Sequence, residues 1–267
     1  MNILEKIIAD KRKLVRQQQE IKTIKSLTQS VFFETTPVSM KAYLTRKDKA
    51  GIIAEIKRKS PSTGLIHAQI DIEKLSISYM QAGAAALSVL TDTKYFGGKN
   101  ADLITARENN FCPILRKDFI IDEYQIVEAK SIGADCILLI AACLTPQECR
   151  NLAAFAKTLH LEVLLEVTTQ EEIEKYINKN IDIIGVNNRD LRDFSTDINK
   201  SIALYEALPK ELVKISESGI KTAEQMLELK NTGFDGFLIG GYFMQHDDPA
   251  QACKILIDEY KTLLHED

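Results

Sequence analysis

The chain predicts an α/β fold, a closed (β/α)8 barrel of the TIM type preceded by a helical extension. Three observations carry that expectation. Eight short apolar runs alternate strictly with eight helical segments, at about 20–35 residues per unit, the size of a βα repeat. The eight units occupy roughly 215 residues, the usual extent of such a barrel. No GxGxxG follows the first strand, which weighs against an open, doubly wound sheet. No linker, low-complexity tract or Pro/Ser-rich stretch divides the chain, so one domain is expected, with the extension over 1–48 and the barrel over 49–267.

The extension reads as helix from Asn2 to about Gln29. Ile3, Ile7, Ile8, Leu14 and Val15 recur at roughly helical spacing among Lys and Gln, and the stretch is placed to cap one end of the core. Lys11-Arg12-Lys13 reads as a solvated helix face. Phe32-Phe33 and Pro37 break the pattern, and 40–44 reads as another short helix. The first strand begins at Ile52. It opens apolar, Ile52-Ile53-Ala54, alternates through Glu55, Ile56 and Lys57, and stops at the turn cluster Ser60-Pro61-Ser62-Thr63-Gly64. Glu55 and Lys57 are two apart, so on a strand they point to one side. Further strands are expected over 84–90, 112–117, 136–141, 161–167, 181–188, 212–217 and 235–239. Helices are expected over 70–82, 101–109, 122–131, 146–158, 170–178, 198–207, 222–230 and 249–264. Gly83, Gly133 and Gly233 close three of these helices, and Thr145 starts another. Residues 91–100, with Tyr95-Phe96-Gly97-Gly98, read as a loop.

The 267 residues are 45% hydrophobic, enough for one large core or two small ones. A net charge of -4 argues against a nucleic-acid surface. The five cysteines form no CxxC pair and are odd in number, which fits a reducing cytoplasm better than a disulfide framework or a zinc site. The N-terminus has no apolar signal region. The longest apolar run, 136–144, falls far short of the roughly 20 residues that a membrane-spanning helix needs. The expectation is therefore a cytoplasmic protein without membrane or nucleic-acid partners.

In this fold the C-terminal strand ends carry the active site, and the sequence gathers its chemistry there. The first strand gives Glu55, Lys57 and, just beyond, Ser60; the second leads to Phe96. The third ends in Arg116-Lys117-Asp118, and the fifth gives Glu166. The sixth gives Asn187, Asn188 and Arg189; the seventh Glu217, Ser218 and Gly219; the eighth Gly240 and Gly241. Each has a plainer reading: a surface Lys or Glu, turn chemistry at Asn187-Asn188, a core anchor at Phe96, a simple turn at Gly240-Gly241. Yet six of the eight strands, all but the second and fourth, end in polar, ionisable or Gly-rich clusters while their interiors are almost wholly apolar. Ser218-Gly219 and Gly240-Gly241 suggest a phosphate site after the last two strands, with Ser60 and Lys57 next to it. Lysines crowded in a barrel mouth are expected to have lowered pKa values, suited to proton donation. Arg189 suits a carboxylate. No His comes from a strand end, so a carboxylate–His metal site is not expected.

The segments IAEIKRKSPSTG (53–64), SVLTDTKYFGG (88–98), LRKDFIIDEYQI (115–126), LLEV (164–167), IIGVNNRDL (183–191), ISESGI (215–220) and GFLIGGYFM (236–244) resemble indole-3-glycerol-phosphate synthase, in that family's order and spacing. The resemblance implies a (β/α)8 carboxy-lyase of tryptophan biosynthesis. Such an enzyme converts 1-(2-carboxyphenylamino)-1-deoxyribulose 5-phosphate to indole-3-glycerol phosphate, carbon dioxide and water without a cofactor. It implies Lys117 as general acid on the substrate carbonyl and Glu166 as partner acid or base. Lys57 becomes a second lysine at the carboxylate or the departing hydroxyl. Glu55, Asn187 and Glu217 orient these groups, Phe96 packs on the anthranilate ring, and Ser218, Gly219, Gly240 and Gly241 receive the phosphate. Many members carry Ser where this chain has Gly241, a departure that implies loss of a hydroxyl contact to the phosphate while the backbone N–H remains.

Two rivals frame the expectation. Phosphoribosylanthranilate isomerases typically carry Cys at the end of the first strand and Asp at the end of the sixth, where this chain has Glu55/Lys57 and Asn187. A non-catalytic phosphometabolite-binding barrel would keep Gly219 and Gly240 without needing Lys117 opposite Glu166. The partner expected is a small phosphorylated substrate acting on a monomer.

Overall fold

A computed structural model describes residues 3–67, 69–189 and 195–266. Asn2, where the first helix is expected to begin, and Asp190-Leu191 of the sixth-strand motif lie outside the described residues. The chain runs α1 (Ile3–Ile21), α2 (Ile24–Leu27), α3 (Met40–Leu44), β1 (Ile52–Ile56), β2 (Lys59–Ser60), β3 (Gly64–Leu65) and α4 (Ile72–Ala82). Then follow β4 (Ala86–Leu90), α5 (Thr93–Phe96), α6 (Asn100–Asn109), β5 (Ile114–Lys117), α7 (Glu123–Ser131), β6 (Cys136–Ile140) and α8 (Pro146–Thr158). The remainder is β7 (Glu162–Val167), α9 (Gln170–Tyr176), β8 (Ile183–Asn187), α10 (Asn199–Leu204), β9 (Val213–Glu217), α11 (Ala223–Thr232), β10 (Gly236–Ile239), α12 (Gly241–Met244) and α13 (Pro249–Glu266). Eight of the strands close into a parallel barrel in the order β1-β10-β9-β8-β7-β6-β5-β4, and β2 pairs antiparallel with β3 in a hairpin.

Local chemistry sets the element ends. Thr145, Thr169 and Thr222 each cap a helix in a reciprocal box with Glu148, Glu172 and Gln225, and Pro146 follows Thr145 at the first helical position. Gly83 ends α4 in the left-handed conformation, which costs glycine nothing. The sequence expectation differs from the structure in details. The cluster after Lys57 is the β2–β3 hairpin, Phe96 sits on the one-turn helix α5, and Gly241 opens the one-turn helix α12.

The strands are buried on both faces because helices cover the outside and side chains fill the inside. Outward residues such as Ile52, Leu87, Ile114, Leu139 and Val186 pack with Leu75, Tyr79, Leu103, Leu152 and Met226 of the helices. Each fully buried Leu or Ile contributes about 1.5–3 kcal/mol. Inward residues Ile53, Ala86, Leu115, Cys136, Leu138, Leu164, Ile183, Ile215 and Leu238 fill the barrel, and Met40 and Leu44 of α3 join this cluster. The extension thus closes the lower end through α3, while α1 reaches the upper end, where Ile3, Leu4 and Ile7 line the mouth. The expected solvated face at Lys11-Arg12-Lys13 is corrected at its first member. Arg12 and Lys13 are exposed, but Lys11 is buried between Asp92 and Asp118 at 2.7 Å from each.

The stagger of the ladder decides which side chains share a height. Glu55 pairs with Ser88 and Ser88 with Leu115, but the strands of such a barrel tilt to its axis with a shear of about 8 over eight strands, so equal height lies two residues further on after two strands. Lys117, not Leu115, is therefore level with Glu55. A barrel layer takes one residue from every second strand. Counting round β1, β5, β7 and β9, the layer above Ile53, Leu115, Leu164 and Ile215 is Glu55, Lys117, Glu166 and Glu217.

Candidate active site

Three carboxylates and one ammonium occupy that single layer. Lys117 Nζ donates to Glu217 Oε2 at 2.5 Å and to Glu166 Oε2 at 3.1 Å. Asn187, from the layer above, donates through Nδ2 to Glu166 Oε1 at 3.0 Å. Lys57 bends back to Glu55 Oε1 at 2.7 Å, as two same-side residues of β1 and its extension should. Glu55, Glu166 and Glu217 are all buried. Two glycines make room for them. A Cβ on Gly185 would lie 2.1 Å from Glu217 Oε1, and one on Gly240 would lie 2.5 Å from Glu55 Oε1.

The electrostatics correct one expectation. Burial alone would lower the Lys117 pKa, but Glu217, Glu166 and Glu55 outweigh it and hold the ammonium well above the ordinary lysine value. A lysine among carboxylates keeps its proton; the lowered value expected from crowded lysines does not arise at Lys117. Glu217 takes the opposite shift. Burial, together with Glu166 and Glu55 and against Lys117, pushes its carboxyl up to about 7. Its Oε1 has no hydrogen-bond partner among the described residues. Burial also pushes Glu55 up, but Lys57 and Lys117 outweigh it and hold it below the usual carboxylate range.

Alternation splits the third strand end by face. Lys117 points into the barrel, whereas Arg116 is buried outside it against Gln125 O at 2.7 Å and Glu128 Oε2 at 2.5 Å. Asn188 likewise faces outward, where Nδ2 donates to Ser216 Oγ and to Ser218 O, both at 2.9 Å. That contact holds the turn in which Ser218 and Gly219 both take positive φ, 69° and 79°.

Above the ionic layer a cavity of about 280 Å³ opens, and every site residue predicted from the sequence lines it: Glu55, Lys57, Ser60, Phe96, Lys117, Glu166, Asn187, Arg189, Glu217, Ser218, Gly219, Gly240 and Gly241. Its two ends differ. On one side Phe96 and Phe119 lie with ring centroids 6.0 Å apart, backed by Leu90, Leu138 and Ile140 and by Ile3, Leu4 and Ile7 of α1. On the other, the Ser218-Gly219 turn and Gly240-Gly241 face Lys57, whose Nζ is 3.9 Å from where a Gly241 Cβ would stand. Ser60 accepts from Thr63 N at 3.2 Å in the hairpin, and Arg189 lies 3.5 Å from Ser62 Oγ. Phe119 and the α1 residues are absent from the sequence-based site. Phe119 stands two residues beyond Lys117, a position that marks it only once the chain is known to turn there.

No helix among the described residues is long and apolar enough to cross a membrane. No group of three or more His, Cys, Asp or Glu among them could hold a metal ion.

Comparison with known proteins agrees with the geometry. A family model described as indole-3-glycerol phosphate synthase matches residues 4–256. An indole-3-glycerol phosphate synthase of Bacteroides thetaiotaomicron is 48% identical over 95% of this chain and 96% of its own length. That of Carboxydothermus hydrogenoformans is 40% identical over 95% of this chain and 99% of its own. Among solved structures, tryptophan synthase subunit alpha from Legionella pneumophila superposes with a TM-score of 0.60 at 17% identity, over 85% of this chain and 98% of that one. The 3-hexulose-6-phosphate synthase of Salmonella typhimurium superposes at 0.62 with 10% identity, over 79% and 98%. These two likenesses bear on the fold alone.

Proposed function

The chain belongs to the indole-3-glycerol phosphate synthase family, carboxy-lyases of tryptophan biosynthesis, and on that premise we propose how its cavity divides the reaction. The substrate is 1-(2-carboxyphenylamino)-1-deoxyribulose 5-phosphate. Its ring lies against Phe96 and Phe119, and its phosphate meets the Ser218-Gly219 turn and the Gly240-Gly241 backbone, with Ser60 and Lys57 beside them. Glycine lets the backbone N–H groups approach an anion closely. Arg189 and Lys57 receive the carboxylate.

Lys117 is the general acid. The ring carbon that bears the carboxylate attacks the ketone carbon, and the ketone oxygen takes a proton from Lys117. The new C–C bond leaves the ring cationic until carbon dioxide departs and returns its electron pair. The hydroxyl formed then leaves as water with a proton from a lysine, Lys117 or Lys57, while Glu166 removes a proton from the adjacent CH2. Glu55 and Glu217 hold the two lysines, and Asn187 holds Glu166. Two lysines and these glutamates suffice for an acid, a base and fixed charge.

The observation that carries this reading is the half-buried Lys117 ammonium, held between Glu166 and Glu217 at the floor of the cavity. Replacing it tests the assignment. Lys117→Met should lower kcat roughly 10²–10⁴-fold while substrate affinity changes much less, because ring and phosphate contacts lie elsewhere. Single-turnover indole fluorescence with a separate titration of substrate Kd measures both. Turnover near that of the wild type removes Lys117 from the chemistry, and a loss confined to binding makes it a binding residue.

We also read the protein as a cytoplasmic monomer with a phosphorylated small molecule as its partner. Five free cysteines support a reducing compartment. The monomer reading follows from the site's make-up: every residue expected at it comes from one barrel, so the proposed chemistry asks nothing of a second chain.

A further inference from the structure

Lys11 is a lysine about 4% exposed on a helix outside the barrel, and its ammonium meets two carboxylates that are as deeply buried. Burying three charges costs desolvation that apolar packing would not, and what the three hold in return is a geometry. The geometry fixed here is specific. Asp92 splits its oxygens: Oδ2 takes Lys11 at 2.7 Å, and Oδ1 takes the Tyr95 N–H at 2.7 Å, the cap of the one-turn helix that ends in Phe96. Asp118 follows Lys117 directly. Its Oδ1 takes both Lys11 at 2.7 Å and the Phe119 N–H at 2.8 Å, while Oδ2 takes Thr91 Oγ1 at 2.7 Å. One ammonium therefore ties together the two backbone turns that present Phe96 and Phe119.

Its neighbour reinforces the grip. Asp10 pairs with Lys94 at 2.6 Å and accepts from the Tyr95 hydroxyl, both on the same one-turn helix. Ile3, Ile7 and Lys11 recur every fourth residue and so share one face of α1. Ile3 and Ile7 line the cavity, as does Leu4. Apolar contacts alone would let a helix slide along the barrel rim; a doubly paired ammonium sets its register.

We propose that Lys11 is a positioning residue for ring recognition. It locks the α1 face against the Phe96–Phe119 pair, so that the N-terminal helix forms a fixed wall of the ring end of the cavity. The inference rests on the reading that the substrate ring lies at Phe96.

The test combines Lys11→Met, Lys11→Arg, Phe96→Ala and the double variant Lys11→Met/Phe96→Ala. The readouts are KM and kcat for the carboxyphenylamino substrate, measured well below each thermal midpoint. Lys11→Met should raise KM by roughly 10- to 100-fold, the scale of a small misplacement of a binding wall, with kcat changed about threefold at most. Lys11→Arg, which keeps the charge, should recover most of the loss. Adding Lys11→Met to Phe96→Ala should raise KM little further, since both changes remove the same wall. A lowered midpoint with unchanged KM in Lys11→Met overturns the proposal, as does full additivity in the double variant. If Phe96→Ala leaves KM unchanged, the ring reading itself fails and the proposal falls with it, a result separable from failure of the clamp alone. Should Lys11→Met not fold, Asp92→Asn keeps the cap acceptor and loses the charge. The same KM rise is then expected, and an unchanged KM overturns the proposal equally.

Discussion

Glu217 offers one oxygen to Lys117 and leaves the other without a partner among the described residues, in a layer where carboxylates outnumber ammoniums. That imbalance has a consequence for stability. Its folded-state pKa of about 7 lies above the ordinary 4.5, with burial the first cause. The folded protein therefore binds this proton more tightly than the unfolded chain does. The resulting stabilisation is complete below about pH 4.5 and is lost as pH rises through about 7. Glu217→Gln keeps a neutral group at every pH. Relative to the wild type it should gain stability between pH 5 and pH 8, by on the order of 3 kcal/mol, even as activity falls. Denaturant titrations of both proteins across that range measure the gain; parallel stability curves would count against the shifted carboxyl. The strand-end glutamates and Lys117 were legible from their positions in the sequence. The direction of the Lys117 shift was not, because it depends on Glu166 and Glu217, which lie 49 and 100 residues away.

At the scale of elements, the turns after β9 and β10 form the end of the cavity proposed to take the phosphate. Gly219 sits at φ 79°, where a side chain is strained, and a Cβ there would approach the Thr196 Cβ to 2.9 Å. Gly219→Asp adds crowding and a negative charge at the proposed phosphate position. KM should rise roughly tenfold or more with a smaller change in kcat, the cost of a like charge at close range. Gly219→Ala separates crowding from charge. Unchanged KM in a folded Gly219→Asp protein would remove this turn from phosphate binding. The Ser-Gly and Gly-Gly pairs were visible in the sequence because turn chemistry is local. The one-turn helices at Phe96 and Gly241 were not, since four residues leave no periodicity to read.

For the molecule as a whole, the closed barrel controls access to its thiols. Cys136 is inside the barrel; Cys112, Cys149 and Cys253 are buried in the layer between strands and helices, and only Cys143 is half-buried. Burial pushes the Cys112 and Cys253 thiols up to about 12 and Cys149 up to about 11. Thiolate is the reactive form, so native protein should titrate slowly with a thiol reagent and yield at most one group, then all five in denaturant. Rapid reaction of two or more thiols in the native state would contradict the packing described here.

The sequence by itself determined the repeat, the direction of each strand and hence the end at which its polar residues collect. These follow from periodicity and chain polarity, which any window of a dozen residues contains. It also carried the family's motifs at readable spacing. Tertiary structure alone decided that Lys11 is buried rather than solvated, that Phe119 faces Phe96, and that Ile3 and Ile7 wall a cavity built from distant strands. An amphipathic helix announces that it has an apolar face but not what that face meets. The burial of one charge on it depends on where chain ends and loops far apart in sequence are brought together by closure of the barrel.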